Sequence, residues 1–401
     1  MKICDLSQFY SDRGGGIRTY LDTKHRYIQA NTDNYHVLIV PGATDSYQEE
    51  GRLKIYRVKG VRIPGSVGYR FIFRLDKVFS ILMRERPDII EFATPYLLPW
   101  VVYWFQKFHP CLSFGFYHTD FPHAYVNMAL SRLTGPKFGT FFEKIAYRYA
   151  RFVYSRCDRT ITASRLFARK LSAIGIQATR AIPFGIDLDL YHPQNRDEKF
   201  RRQFVKHNDD ILLLYSGRFD GEKRVLFLLE VLKELEAMNK FSLIMVGDGP
   251  LRCHLENVAQ NNQRLHILSF KSDKAALAKI YASADIYVTA GAHETFGFCI
   301  AEAQASGLPV VGVNAGALIE RVPETLGFLG PVDSQIEMAQ NIRRISALDF
   351  RNIGRKNRLW VEQNNSWENF FQQLFNCYET AITPHQKTVP SLTEVIIPIH
   401  H

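Results

Sequence analysis

Two glutamates and a basic pair mark where this 401-residue chain could do chemistry. Glu294 and Glu302 lie within His293–Gly316, HETFGFCIAEAQASGLPVVGVNAG. On one helix their spacing adds about 80° of rotation and roughly 12 Å of rise, too far for a general acid–base pair. Thr295-Phe296-Gly297 reads as a turn and Phe298–Ser306 as the helix, so Glu294 precedes the helix and Glu302 lies inside it. The free N–H groups around Phe296–Cys299 then face the space between the carboxylates. A helix N-terminus after a strand is an anion site by geometry and dipole. Phosphate on the helix end and hydroxyls on the carboxylates would suit a sugar nucleotide. An isolated pair at this spacing is more often a solvated helix face, so the surrounding residues carry the weight. Arg218 and Lys223, in Gly217-Arg218-Phe219-Asp220-Gly221-Glu222-Lys223, reach one anion if the turn folds back, Arg as a planar fork and Lys as a point charge.

Three further stretches could contribute. His118 ends the apolar run Cys111–Tyr117, where parallel α/β sheets hold ligands; by spacing alone it is equally a loop residue. Gly14-Gly15-Gly16 separates a strand-like start from an amphipathic helix over 17–30, and glycines there let the backbone approach a ligand closely. The pattern is neither a Walker loop nor G-x-G-x-x-G. Asp187-Leu188-Asp189 has the form of a metal-binding Asp-x-Asp but falls in a connecting segment, so no metal site is expected.

Positioning these groups requires strands alternating with helices. Apolar runs at 35–40, 53–58, 87–92, 111–117, 211–215, 241–246, 266–270, 286–289 and 309–313 read as strands, many of them buried on both faces. Arg62–Gly68 reads as a loop, with a helix from about Tyr69 carrying Arg70, Phe71, Phe73, Arg74 and Val78. Further helices are expected over 277–285 and 366–381. Gly307-Leu308-Pro309 stops the helix after Glu302. The alternation occurs twice, which gives an α/β protein of two doubly wound, Rossmann-like domains facing a cleft.

Composition sets outer limits. The net charge is +10, with 50 Lys and Arg against 40 Asp and Glu. That balance permits nucleic acid, an anionic membrane surface or phosphorylated ligands, but no nucleic-acid recognition motif is present. Six scattered cysteines form no C-x-x-C pair, as in a reducing compartment. The start Met1-Lys2-Ile3-Cys4 runs into a strand, so no signal peptide is expected. The longest apolar run, Phe92–Phe105, is shorter than the about 20 residues of a membrane span and holds Pro95 and Pro99. Residues 137–156 interleave Lys137, Lys144, Arg148, Arg151 and Arg156 with Phe138, Phe141, Phe142, Tyr147, Tyr149, Phe152 and Tyr154. Such a helix can lie on an anionic membrane or pack its aromatics inward.

The stretch His293–Gly316 resembles the E-x7-E region of retaining glycosyltransferases of the two-domain GT-B type, in family 4. Gly217–Lys223 matches that family's G-R-x-x-x-E-K, and His118-Thr119-Asp120-Phe121-Pro122 is similar to members that use mannose or sulfoquinovose donors. Cys157–Ser164 and Ala181–Asp187 follow in family order, and the resemblance spans about residues 1–380. Cys157 in place of Ala and Ala315 in place of Gly are departures, the second near the donor phosphate.

The resemblance implies an acceptor-side domain over 1–186 and a nucleotide-sugar domain over 187–365. A helix over 366–382 would cross back to the first domain, and 383–401 would be a weakly ordered tail. It also implies site roles. Arg218, Lys223, the Gly14, Gly15 and Gly16 loop and the turn Thr295, Phe296, Gly297 and Phe298 would hold the donor diphosphate. Glu294 would hold the donor sugar, Glu302 the ribose, and His118 the sugar and acceptor side. The activity implied is metal-independent hexosyl transfer with retention, needing no cofactor beyond a nucleotide-diphosphate sugar donor such as GDP-mannose or a UDP-hexose. A lipid, lipid-linked or saccharide acceptor is expected, with the enzyme cytoplasmic or peripheral on the inner membrane face. A non-catalytic sugar-nucleotide binder and a GT-B epimerase remain alternatives. A two-carboxylate hydrolase is the weaker reading.

Overall fold

The computed structural model describes residues 1–10, 15–63, 69–127, 131, 135–177, 179–270 and 273–386. Two parallel sheets organise it. The first half supplies β1 (Lys2–Leu6), β2 (Tyr35–Gly42), β3 (Ser46–Glu50), β4 (Leu53–Lys59), the short pair β5 (Val61–Arg62) and β6 (Arg70–Phe71), β7 (Ile89–Phe92), β8 (Leu112–Tyr117), β9 (Arg159–Thr162) and β10 (Thr179–Ala181). Eight of these form one sheet in the order β10-β9-β8-β7-β1-β2-β4-β3. The second half supplies β11 (Ile211–Ser216), β12 (Phe241–Gly247), β13 (Leu265–Ser269), β14 (Ile286–Thr289), β15 (Val310–Val313) and β16 (Gly327–Gly330). Their order is β13-β12-β11-β14-β15-β16, parallel throughout.

β7, β8, β11, β12, β14 and β15 are buried along their whole length, as parallel strands covered on both faces must be. In each sheet the strand order reverses once, between β1 and β7 and between β11 and β14. Ligands of open α/β sheets bind in the crevice at such a reversal.

The expected helix from Tyr69 is corrected. Arg70–Phe71 pairs antiparallel with Val61–Arg62, and the helix begins only at Leu75. Backbone pairing takes up Arg70–Phe71 before a helix can start, and residues 64–68 of the expected loop lie outside the described ones. Sequence reading also missed β3, an exposed antiparallel edge strand ending in Glu49 and Glu50; such charges deter edge-to-edge pairing. The last helix is longer than expected, Trp367–Gln386. The expected tail from 387 onward lies outside the described residues.

That last helix follows the second half but packs on the first sheet. Phe371 stacks on Tyr27 at 4.6 Å, and Tyr378 meets Phe114 at 4.8 Å. Beneath lies a buried charge network. Lys24 Nζ donates to Asp5 Oδ1 at 2.8 Å and to Tyr378 Oη at 2.9 Å, and stands 3.4 Å from Glu91 Oε2. Tyr378 and Tyr20 donate to Glu91 at 2.6 and 2.7 Å, and His36 Nε2 meets Asp5 at 2.6 Å.

Burial raises the Glu91 carboxyl to about 7, although Lys24 opposes it. At Asp5 burial also acts upward, but Lys24 and His36 outweigh it and hold the carboxyl below its ordinary value. Glu91 therefore contributes stability below its ordinary value of 4.5 that is lost as pH rises through about 7. The contribution of Asp5 is lost only as pH falls through its depressed value. Lys24→Met leaves two buried carboxylates facing one histidine. It should cost about 3–5 kcal/mol, read from the urea midpoint of the whole chain. A wild-type midpoint would show that the last helix docks without the charge network.

Candidate functional site

The loops after β11 and β14, the two strands at the reversal, carry the second-half candidates. Arg218 and Lys223 follow β11. Glu294 to Gly297 follow β14 and lead into the helix Phe298–Ala305. Opposite, the helix Gly16–Asn31 of the first half starts against the same place. A Cβ on Gly16 would lie 2.9 Å from Phe298 Cδ2, so only glycine lets the two helix starts approach this closely. The two helix N-termini, each a positive end, therefore lie beside one another. Among the described residues no acceptor meets the backbone N–H groups of Thr295, Phe296 and Gly297. Gly15 precedes the first-half helix, whereas Gly14 lies outside the described residues.

The basic pair converges, but through a carboxylate. Glu222 Oε2 accepts from Arg218 at 2.5 Å, and its Oε1 stands 3.4 Å from Lys223 Nζ. Lys223 also donates to Glu294 Oε1 at 2.7 Å, tying the β11 loop to the β14 loop. Burial would lower the Lys223 ammonium, but Glu294 and Glu222 outweigh it and keep the lysine charged. Burial acts upward on Glu222, and Lys223 and Arg218 reverse it. Arg218 also pairs with Asp220 at 2.8 Å and remains half exposed, at 53%. Two cations thus face three carboxylates. Sequence reading saw only the cations, although Glu222 stood inside the same motif.

His118 is placed by stacking. Its ring lies 4.1 Å from Phe116 at an interplanar angle of 7°, in a column that continues through Phe184 to Phe298. Nε2 is buried and has no partner. Burial holds the imidazole down at about 3, so it is neutral at neutral pH and can offer one hydrogen bond. Its carbonyl accepts from Thr295 Oγ1 at 2.6 Å, which brings the two halves together beside Glu294. The Thr295 side chain is thereby engaged in that contact.

Glu302 lies apart from Glu294 in its contacts. Its Oε2 accepts from Tyr281 Oη at 3.0 Å, and burial raises its carboxyl despite that bond. Tyr281, on the helix Lys274–Ser283, carried no signal in the sequence. Phe296 is buried against Phe184 and under the guanidinium of Arg321, 4.3 Å from its ring. Asp187 Oδ1 accepts from the backbone of Leu190 at 3.0 Å, a turn within the connection between the halves.

Known proteins share this arrangement. Residues 14–190 match the model of Glycosyltransferase Family 4, and residues 196–366 match that of glycosyl transferases group 1. A GDP-mannose-dependent alpha-(1-6)-phosphatidylinositol dimannoside mannosyltransferase of Mycobacterium tuberculosis is 29% identical over 82% of this chain and 83% of its own. A GDP-mannose-dependent alpha-mannosyltransferase of Corynebacterium glutamicum is 27% identical over 82% of this chain and 76% of its own. Sucrose-phosphate synthase of Thermosynechococcus elongatus superposes with a TM-score of 0.77 at 19% identity, covering 96% of this chain and all of its own. HepE of Anabaena with UDP and glucose gives 0.71 at 18% identity, covering 95% of this chain and 100% of its own. With two Rossmann-like sheets, a family 4 module followed by a group 1 module, and a cleft between them, the chain belongs to the GT-B glycosyltransferases of family 4.

Proposed function

We propose that the protein transfers a hexose with retention from a nucleotide-diphosphate sugar to a lipid or lipid-linked acceptor, without a metal ion. The observation that carries the donor reading is the meeting of two helix N-termini with Lys223 and Arg218 at the strand-order reversal. GDP-mannose is the first donor to test, since the two mannosyltransferases above are named for it. The leaving diphosphate would lie on the helix ends. Arg218 would exchange carboxylate partners for the diphosphate, because a half-exposed pair with carboxylates is weak and a diphosphate competes well for it. Lys223 stays charged between Glu222 and Glu294 and would stabilise the leaving group as charge develops. Glu294 would orient sugar hydroxyls with its remaining lone pairs. Neutral His118 would bind a sugar hydroxyl rather than act as an acid. Glu302 and Tyr281 would receive the ribose.

Arg218→Ala and Lys223→Ala should each lower kcat by on the order of a hundredfold or more, about 3 kcal/mol, with little change in the unfolding midpoint. The donor is identified by which nucleotide sugar raises that midpoint, and retention by the anomeric configuration of the product. Near-normal turnover in both variants would remove the assignment.

Metal independence is tested separately. Activity should survive EDTA, and loss restored by Mg²⁺ or Mn²⁺ would return Asp187 and Asp189 to consideration.

A membrane-borne acceptor is supported by the surface of the first half. On the helix Pro136–Tyr154, Phe138 and Phe141 are 60% and 58% exposed, and Phe142 and Phe152 are also exposed. Lys137, Lys144, Arg148 and Arg151 are exposed on the same helix and Arg156 follows it. Trp100, on the neighbouring helix Leu98–Phe105, meets Phe152 at 5.6 Å and extends the aromatic surface towards exposed Trp104 and Phe108. Arg74 and Lys77 add little, since Asp76 and Asp45 take their charge. No helix among the described residues is long and apolar enough to cross a membrane. Four or five cations at about 1 kcal/mol each could hold the chain on an anionic surface. It should float with anionic but not neutral liposomes, and release as salt rises. Indifference to both vesicles would favour a soluble saccharide acceptor.

A further inference from the structure

A cavity of about 490 Å³ opens between the two halves, beside the Lys223–Glu294 pair. Asp120, Arg169 and Lys170 line it from the first half, and His293 and Gly316 from the second. His293 directly precedes Glu294. Gly316 packs on the Glu294 backbone, where a Cβ would stand 2.9 Å from its carbonyl oxygen. The cavity therefore borders the place proposed for the donor sugar, and a molecule attacking that sugar from the first-half side would run through it.

Its charges do not cancel. Asp120 accepts from Tyr117 at 2.7 Å, Tyr147 at 2.8 Å and Lys170 at 2.6 Å, so Lys170 and Asp120 neutralise each other. Arg169 is exposed, and among the described residues it has no hydrogen-bond or ion-pair partner. Arg165, four residues earlier on the helix Arg165–Ala173, is exposed as well, and only its backbone N–H is engaged, by Glu320. Like charges at this helical spacing repel, and an anion between them relieves the repulsion. Across the cavity the His293 ring lies 3.8 Å from that of His123, tilted by 32°, and His123 Nδ1 meets Glu143 at 2.9 Å. The Glu143 carboxylate is turned to His123 and Asn127, not to Arg169.

We propose that this cavity is an acceptor subsite for an organic phosphate, bound by the Arg169 guanidinium with Arg165 at its rim. The inference rests on the donor-site reading above, which places the sugar beside Glu294. Arg forms two parallel hydrogen bonds to a phosphate, a geometry lysine lacks. The phosphate can come from a lipid headgroup or from a free phosphate ester, because the guanidinium reads the same oxygens in both.

The test uses the full chain with its donor site saturated by GDP or UDP, so that phosphate probes cannot occupy the diphosphate site. sn-Glycerol 3-phosphate, with glycerol as control, and monomeric short-chain phosphatidylinositol are titrated by calorimetry. Wild type should bind the phosphate probes but not glycerol. Arg169→Gln should bind them at least tenfold more weakly while its nucleotide affinity stays within twofold. Binding of both probes, or of the lipid alone, supports the subsite with a headgroup as source; binding of glycerol 3-phosphate alone supports it with a free ester as source. Equal affinity in Arg169→Gln, or no binding of either probe, overturns the subsite. Failure of both nucleotides to bind would instead strike the donor reading, and the Arg169 comparison would still report on the cavity.

Discussion

The Lys223–Glu294 ion pair is the contact on which the site depends. It joins the loops following β11 and β14, the two strands between which the sheet order reverses. At such a reversal the adjacent loops diverge to opposite faces of the sheet and leave a crevice. A bond across the crevice fixes its width and holds a carboxylate and an ammonium within reach of one ligand. Glu222 extends the link to Arg218, so three residues of one short motif and one glutamate seventy-one positions later form one unit. With Asp220, which also pairs with Arg218, the unit carries more negative than positive side chains. In the proposed donor reading, the attraction for a diphosphate therefore leans on the two helix N-termini and on Arg218 exchanging its carboxylate partners.

The two halves are coupled by apolar and polar means at different depths. Near the ligand crevice an aromatic column runs from Phe116 through His118 and Phe184 to Phe298, and Trp367 and Phe370 pack beside it. This column stacks both the first-half histidine and the start of the second-half helix on Phe184, a residue of the connection between the sheets. Further away the last helix brings Tyr378 onto the Lys24 network. A buried lysine between two carboxylates and two phenols is costly unless every partner is present. The docked position of that helix is therefore sharply defined. Asn365 makes the turn between these regions rigid, donating to the Phe184 carbonyl at 2.8 Å while its own carbonyl accepts from Ile186.

The first-half surface joins two properties that composition alone cannot separate. Positive charge is spread along the chain, but much of it is matched locally: Arg74 by Asp76, Lys77 by Asp45, Arg264 by Asp210 and Arg201 by Asp285. Among the cations with no ion-pair partner in the described residues are Lys144, Arg148, Arg165 and Arg169, on the helices Pro136–Tyr154 and Arg165–Ala173, the first next to exposed aromatics and the second next to the cavity. The proposed membrane-facing surface and the proposed phosphate subsite are physically consistent, because each draws on its own exposed cations, Lys137, Lys144, Arg148 and Arg151 for the first and Arg165 and Arg169 for the second.

Sequence by itself determined the fold class and pointed to the candidate site residues. Doubly buried parallel strands read as continuous apolar runs, and glycines with basic or acidic residues at their C-terminal ends mark the loops proposed to bind the donor. Glu294, Glu302, Arg218, Lys223, Gly16 and His118 stand out as candidates through the family resemblance; by spacing alone His118 is equally a loop residue and the glutamate pair a solvated helix face. Where spacing was ambiguous the reading failed: Arg70–Phe71 was taken for helix, since a short aromatic stretch fits either period until its partner Val61–Arg62 is known. Only the tertiary structure decided who meets whom. It set Glu222 between the two cations, Tyr281 on Glu302, Thr295 on the His118 carbonyl, and Tyr378 on Lys24 across 354 positions. It also left Arg169 without an ion-pair partner among the described residues at the cavity. Such pairings arise from the packing of distant segments, and local periodicity contains no information about them.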